Sequence, residues 1–204
     1  MQIGAILWNV ERSHMGNKNK VILFLLAATL WGVTELFVGM IRFHARSVVL
    51  STAGLLLLFS IRSLGFRFPF YLVASLIAVA YKSIGGGFFP CEFGAVFSLG
   101  LGAEIGFGLM GKRKIEGLAL SSIAGVILSV IAISFLKPSH WNLSSSLYYL
   151  LFRGGPILIL TFLMGVFFER GIRLPERAPV LALYGSYLLI PLLWGVTVLR
   201  YLTR

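Results

Sequence analysis

Residues 115–136 read IEGLALSSIAGVILSVIAISFL, a run whose only charged residue is Glu116, at its second position. A helix needs roughly 20 apolar residues to cross a bilayer, and this run is long enough. Working outward, further apolar runs occupy 21–41, 47–61, 68–82, 88–111, 147–168 and 178–199. Those at 21–41, 115–136, 147–168 and 178–199 have full spanning length. The runs at 47–61 and 68–82 are short, and predict tilted helices, helices that extend into their flanks, or a partly re-entrant pair. Pro90 suits the first turn of a helix, so the 88–111 run predicts a helix starting near Pro90. The expected fold is all-α: a polytopic transmembrane helix bundle of six or seven spans, with a short polar tail over 1–20 and one helical domain over 21–204.

Composition supports the same class. The 204 residues are 58% hydrophobic and 12% charged, with a mean hydropathy of +0.92. Soluble globular domains carry roughly 25% charged residues, so there is too little polar surface to coat a water-facing shell. The single Cys91 excludes an intrachain disulfide scaffold. A net charge of +11 on a soluble domain would suggest nucleic acid. Here the Lys and Arg lie mostly between apolar runs, where they act as topology determinants and anionic-lipid contacts, and no nucleic-acid partner is expected.

Basic residues cluster in alternate loops. Arg12, Lys18 and Lys20 precede the first run; Arg62 and Arg67, then Lys112, Arg113 and Lys114, then Arg170, Arg173 and Arg177 fall on the same side. The positive-inside rule places this side, and the N-terminus, in the cytoplasm, with the C-terminus outside for seven spans. The first run lacks a following small-residue cleavage site and reads as an uncleaved span. Met15 is as good a start as Met1.

Charge inside a bilayer is expensive, at least ~2.5 kcal/mol on insertion scales, so ionisable residues in the apolar runs are the candidate site. Five qualify: Glu35, Lys82, Glu92, Glu104 and Arg153. In this orientation all but Glu104 lie toward the outer leaflet. They suggest a polar pocket opening outward, where Lys82 and Arg153 take carboxylate or phosphate groups and Glu35 and Glu92 take amines. Trp31, Phe88, Phe89, Phe93 and Trp141 supply walls for a flat ring. The competing structural reading is an internal ion pair, such as Lys82 with Glu92, or side chains that snorkel to the interface. The segment Tyr81-Lys82-Ser83-Ile84-Gly85-Gly86-Gly87-Phe88-Phe89-Pro90-Cys91-Glu92 forms the lip of this site. It is no P-loop, because no Lys-Ser/Thr follows the glycines.

Small residues recur at helical spacing: Ala28 with Gly32, Gly102 with Gly106, and Gly100, Gly108 and Gly111 on the face of Glu104. Such steps let helix backbones approach closely in lipid, either within the bundle or at a docking face for a partner. No catalytic signature stands out. The three His lie in the tail or loops, there is no Asp, and no Gly-x-Ser-x-Gly or His-Glu-x-x-His is present. No enzyme activity, metal or cofactor is therefore expected.

A small glycine-rich bundle of this kind resembles the substrate-capture (S) subunits of energy-coupling factor (ECF) vitamin transporters. The Ala28–Gly32 step is similar to the alanine-rich motif by which that family docks its energising partner, and the segment from Lys82 to Glu92 to the family's substrate side. The resemblance implies a bacterial inner-membrane protein that takes a vitamin-like solute from outside and depends on a separate ATPase and transmembrane coupling module. Combined with the pocket read from the intramembrane charges, this gives Glu35, Lys82, Glu92, Arg153, Trp31 and Phe89 as expected substrate-binding residues, and Ala28, Gly32 and Glu104 as expected partner-docking residues. Membrane lipid is the other expected partner. An autonomous proton-coupled transporter using Glu35 or Glu104, a lipid-acting enzyme using Glu92 and Lys82, and a structural subunit are the alternatives.

Overall fold

A computed structural model describes residues 17–38, 45–86, 90–111, 113–136 and 143–171, together with Leu192. Among these the chain is all-helical. Helix α1 (Asn17–Phe37) is followed by α2 (Arg46–Ser63), α3 (Phe70–Gly86), α4 (Pro90–Met110) and α5 (Lys114–Leu136). A continuous helical stretch then comprises α6 (Leu143–Tyr149), a π-helical turn (Leu150–Gly154) and α7 (Gly155–Gly171). Five stretches are long and apolar enough to cross a membrane: Lys18–Phe37, Arg46–Ser63, Pro90–Met110, Lys114–Leu136 and Ser144–Phe167. The apolar part of α3, Phe70–Ile84, is shorter. This is the architecture of an integral membrane protein. The count among the described residues is thus five candidate spans in place of the six or seven expected, and the run at 178–199 lies outside the described residues.

Helices α1 to α5 run up and down, which brings alternate connections to the same end. At the end carrying the α2–α3 and α4–α5 turns, Gly65 (φ +92°) and Gly111 (φ +52°) adopt left-handed backbone that glycine enters without steric cost. Arg62, at the end of α2, donates to the carbonyl of Gly111. Rings from three segments close over this end: Phe24 of α1 lies 5.3 Å from both Phe66 and Phe70. Pro90 opens α4 as its sequence position predicts.

The middle of the bundle is held by small residues. The most intimate pair is α4 with α5, where Gly102 lies against the backbone of Gly125 and Gly106 against that of Ser121. Any side chain on either glycine would fall on backbone atoms. Gly108, on the face expected to be shared with Glu104, instead has open space around it. Serines in α5 satisfy their hydroxyls within the helix: Ser121 donates to the Gly117 carbonyl at 2.6 Å, Ser122 to Leu118 at 2.8 Å and Ser129 to Gly125 at 2.7 Å. This pattern lets a polar residue sit at a helix contact with no donor left unpaired. The inward faces of α1 (Ala28, Trp31, Gly32, Glu35) and α3 (Tyr71, Ala74, Ala78, Tyr81) follow the i, i+3, i+7 spacing of a buried stripe and are closed to solvent.

These contacts make a discriminating prediction. Gly102→Ala or Gly106→Ala should lower the thermal unfolding midpoint in detergent, since overpacking a close contact costs about 1–3 kcal/mol. Gly108→Ala, in open space, should leave the midpoint unchanged or raise it slightly through helix propensity.

Candidate polar site at one end of the bundle

Four charged side chains from four helices meet at the end opposite the two short turns. Glu35 lies in the last turn of α1, and its Oε2 accepts from Lys82 Nζ near the end of α3 at 2.8 Å. Lys82 also reaches Oε2 of Glu92, in the first turn of α4, at 3.3 Å. The other oxygen of Glu92 accepts from Arg46 Nη2, at the start of α2, at 3.1 Å. The order Glu35–Lys82–Glu92–Arg46 alternates in sign and sums to zero. Side-chain exposure rises along it, from 3% at Glu35 and 13% at Lys82 to 37% at Glu92 and 34% at Arg46.

Helix electrostatics explain the arrangement. A carboxylate is favoured at a helix N-terminus and an ammonium at a C-terminus, so Glu92 and Lys82 stand at the ends that suit them. Glu35 and Arg46 stand at the ends that do not. Each misplaced charge is paired with a well-placed one, and the whole set is neutral where it enters the apolar bundle.

The sequence-predicted residues divide accordingly. Glu35, Lys82 and Glu92 come together as expected, and they do so as an internal ion-pair network in which every carboxylate already has a cation. Arg46, which is not among the five charges counted inside the apolar runs, is the missed member. Its position just ahead of the 47–61 run was the available signal; its pairing with Glu92, 46 residues away, leaves none. Arg153 does not join the cluster. It lies on an exposed face of the π-helical turn with its guanidinium 5.4 Å from the Tyr149 ring centroid. Trp31 is fully buried against Gly54 of α2, so it fills the α1–α2 contact and is not an open wall, although its indole N–H has no hydrogen-bond partner among the described residues. Phe93 is buried. Phe88, Phe89 and Trp141 lie outside the described residues.

The residues assigned to partner docking have partners inside the bundle. Ala28 is fully buried, and Gly32 lies so close to the Tyr81 ring that an added methyl would stand 2.5 Å from it. This small-residue step serves the α1–α3 contact. Glu104 of α4 accepts the backbone N–H groups of Tyr71 at 3.0 Å and Leu72 at 3.2 Å. These belong to the first turn of α3, whose amides have no partner within their own helix. Glu104 therefore caps α3 from a neighbouring helix, which accounts for a carboxylate at this depth.

Comparison of the chain with protein-family models, with curated proteins and with solved structures finds no match.

The cap is open to test. Glu104→Ala should destabilise the protein by about 1–2 kcal/mol, as loss of an N-cap does, read as a lower unfolding midpoint. Glu104→Gln, which keeps a carbonyl acceptor, should lose less. Equal losses in the two variants would contradict the capping role.

Proposed function

We propose that this chain is an integral membrane solute-binding or transport protein that takes a small solute at the Glu35–Lys82–Glu92–Arg46 end of the bundle. The observation that supports this is the exposure gradient along the cluster. A neutral chain of charges leads from two solvent-reachable groups, Glu92 and Arg46, to a fully buried carboxylate. A polar or charged solute enters such a site by exchanging with one of its ion pairs, so that desolvation of the solute is offset by groups already arranged for it. The longest contact, Lys82 to Glu92 at 3.3 Å, is the natural place for that exchange.

The resemblance to ECF substrate-capture subunits supplies the finer reading: a vitamin-like solute taken from outside the cell, with transport driven by a separate energising module. The basic residues Lys18, Arg62, Arg67, Arg113 and Lys114 at the opposite end support the matching orientation, with that end in the cytoplasm of a bacterial inner membrane. A second reading rests on the same geometry. Because every charge in the cluster has a partner, the network also suits a purely structural clasp on the ends of α1 to α4.

Native mass spectrometry of the full chain in mild detergent separates the two. The capture reading expects a water-soluble molecule held at one per chain and lost in Lys82→Ala, with the helical circular-dichroism signal retained. A parent protein that carries only phospholipid, together with a Lys82→Ala variant altered in unfolding midpoint alone, would favour the clasp.

A further inference from the structure

The four charges at the end of the bundle join two helix pairs. In one, α1 and α3 are tied by Glu35–Lys82 at 2.8 Å, by the Tyr81 ring against Gly32 and by Phe24 against Phe70. In the other, α2 and α4 are tied by Arg46–Glu92 at 3.1 Å and by Phe59 beside Phe107, with ring centroids 6.4 Å apart. Each set of ties holds its pair near both ends. At the charged end the two pairs meet through Lys82–Glu92 at 3.3 Å, the longest of the three ion pairs.

The contacts that hold pair to pair lie lower in the bundle. Gly100 of α4 lies against Ser75 of α3, Tyr71 of α3 stands 5.3 Å from the Phe107 ring, and Glu104 caps the first turn of α3. Between α1 and α2 the Trp31 indole sits on Gly54, four residues or about 6 Å along the helix from Glu35. Its N–H has no hydrogen-bond partner among the described residues.

Charge sets the Lys82–Glu92 seam apart. Cutting the row Glu35–Lys82–Glu92–Arg46 at its centre leaves two pairs, each of zero net charge. A cut at Glu35–Lys82 strands a buried carboxylate, and a cut at Arg46–Glu92 strands a guanidinium. Either leaves an uncompensated charge at an apolar bundle, which is strongly unfavourable. Glu92 is 37% exposed, so water reaches the central contact and weakens it.

We propose that the charged end opens and closes along the Lys82–Glu92 seam. The α1–α3 pair moves as one neutral unit and the α2–α4 pair as the other, about the contacts at the opposite end. This motion of helix ends does not depend on the solute-binding reading.

The test places pairs of spin labels on the full chain in nanodiscs, with Cys91→Ser, and reads distance distributions by pulsed electron paramagnetic resonance. Ala80→Cys with Val49→Cys spans the two pairs near the charged end. Ala80→Cys with Phe37→Cys lies within one pair, and Val73→Cys with Leu109→Cys spans the pairs at the opposite end; all five positions are exposed. Two populations are expected for Ala80–Val49 and one for each of the others. Glu92→Gln should raise the longer Ala80–Val49 population relative to the shorter by about two- to fivefold, the scale of one part-exposed ion pair. High salt should act in the same direction on the chain that keeps Glu92. A single Ala80–Val49 population, or a ratio that neither Glu92→Gln nor salt moves, would overturn the proposal. Equal broadening of Ala80–Phe37 would do so too, because α1 and α3 would then be parting as well.

Discussion

A carboxylate inside an apolar bundle must be neutralised where it stands, and Glu35 imposes that condition on four helices. It sits in the last turn of α1, at the helix end that repels it, and is closed to solvent. Lys82 answers it from α3 and is shared with Glu92 of α4, which in turn holds Arg46 at the start of α2. Removing one partner of a buried pair leaves an uncompensated charge and costs about 3–5 kcal/mol, whereas replacing a whole pair by apolar groups is often neutral. The positions of four helix ends are therefore coupled through one short chain of charges.

The opposite end is tied by different means. Glu104 gathers two amides of α3, Arg62 reaches a carbonyl in the α4–α5 turn, and Phe24, Phe66 and Phe70 pack across the α2–α3 connection. Between the two ends the contacts rely on glycine, alanine and serine, because lipid gives helices no hydrophobic reason to associate and close van der Waals contact has to do so. The most exposed charges at the charged end are Glu92 and Arg46, with Lys82 behind them.

Much of this was legible in the sequence. Run length and composition predict the helical class, Pro90 marks the start of α4, and the Gly102–Gly106 step marks a close helix contact. The convergence of Glu35, Lys82 and Glu92 follows from counting helix ends once a topology is drawn. What periodicity could not show is partner choice. Arg46 and Glu92 are remote in sequence, and nothing local distinguishes an Arg in a loop from one that starts a helix and crosses to another. Glu104 read as a lone charge because backbone amides of a distant helix are invisible as partners. Arg153 was grouped with the cluster because depth can be counted along a span, whereas helix rotation is set here by the Gly154–Val126 contact and by a π turn that residue counting does not anticipate. The small steps at Ala28–Gly32 and Gly102–Gly106 look alike in sequence, and only packing shows that both are satisfied within the chain.

The central claim is that Glu35 and Lys82 stabilise each other across α1 and α3. A double-mutant cycle with Glu35→Gln, Lys82→Met and the two combined, read as unfolding free energy in detergent, tests it most directly. The account predicts that each single substitution destabilises the protein by about 3–5 kcal/mol and that the double variant loses clearly less than the sum. Additive losses would show that the two side chains do not depend on each other, and would contradict the arrangement of helix ends described above.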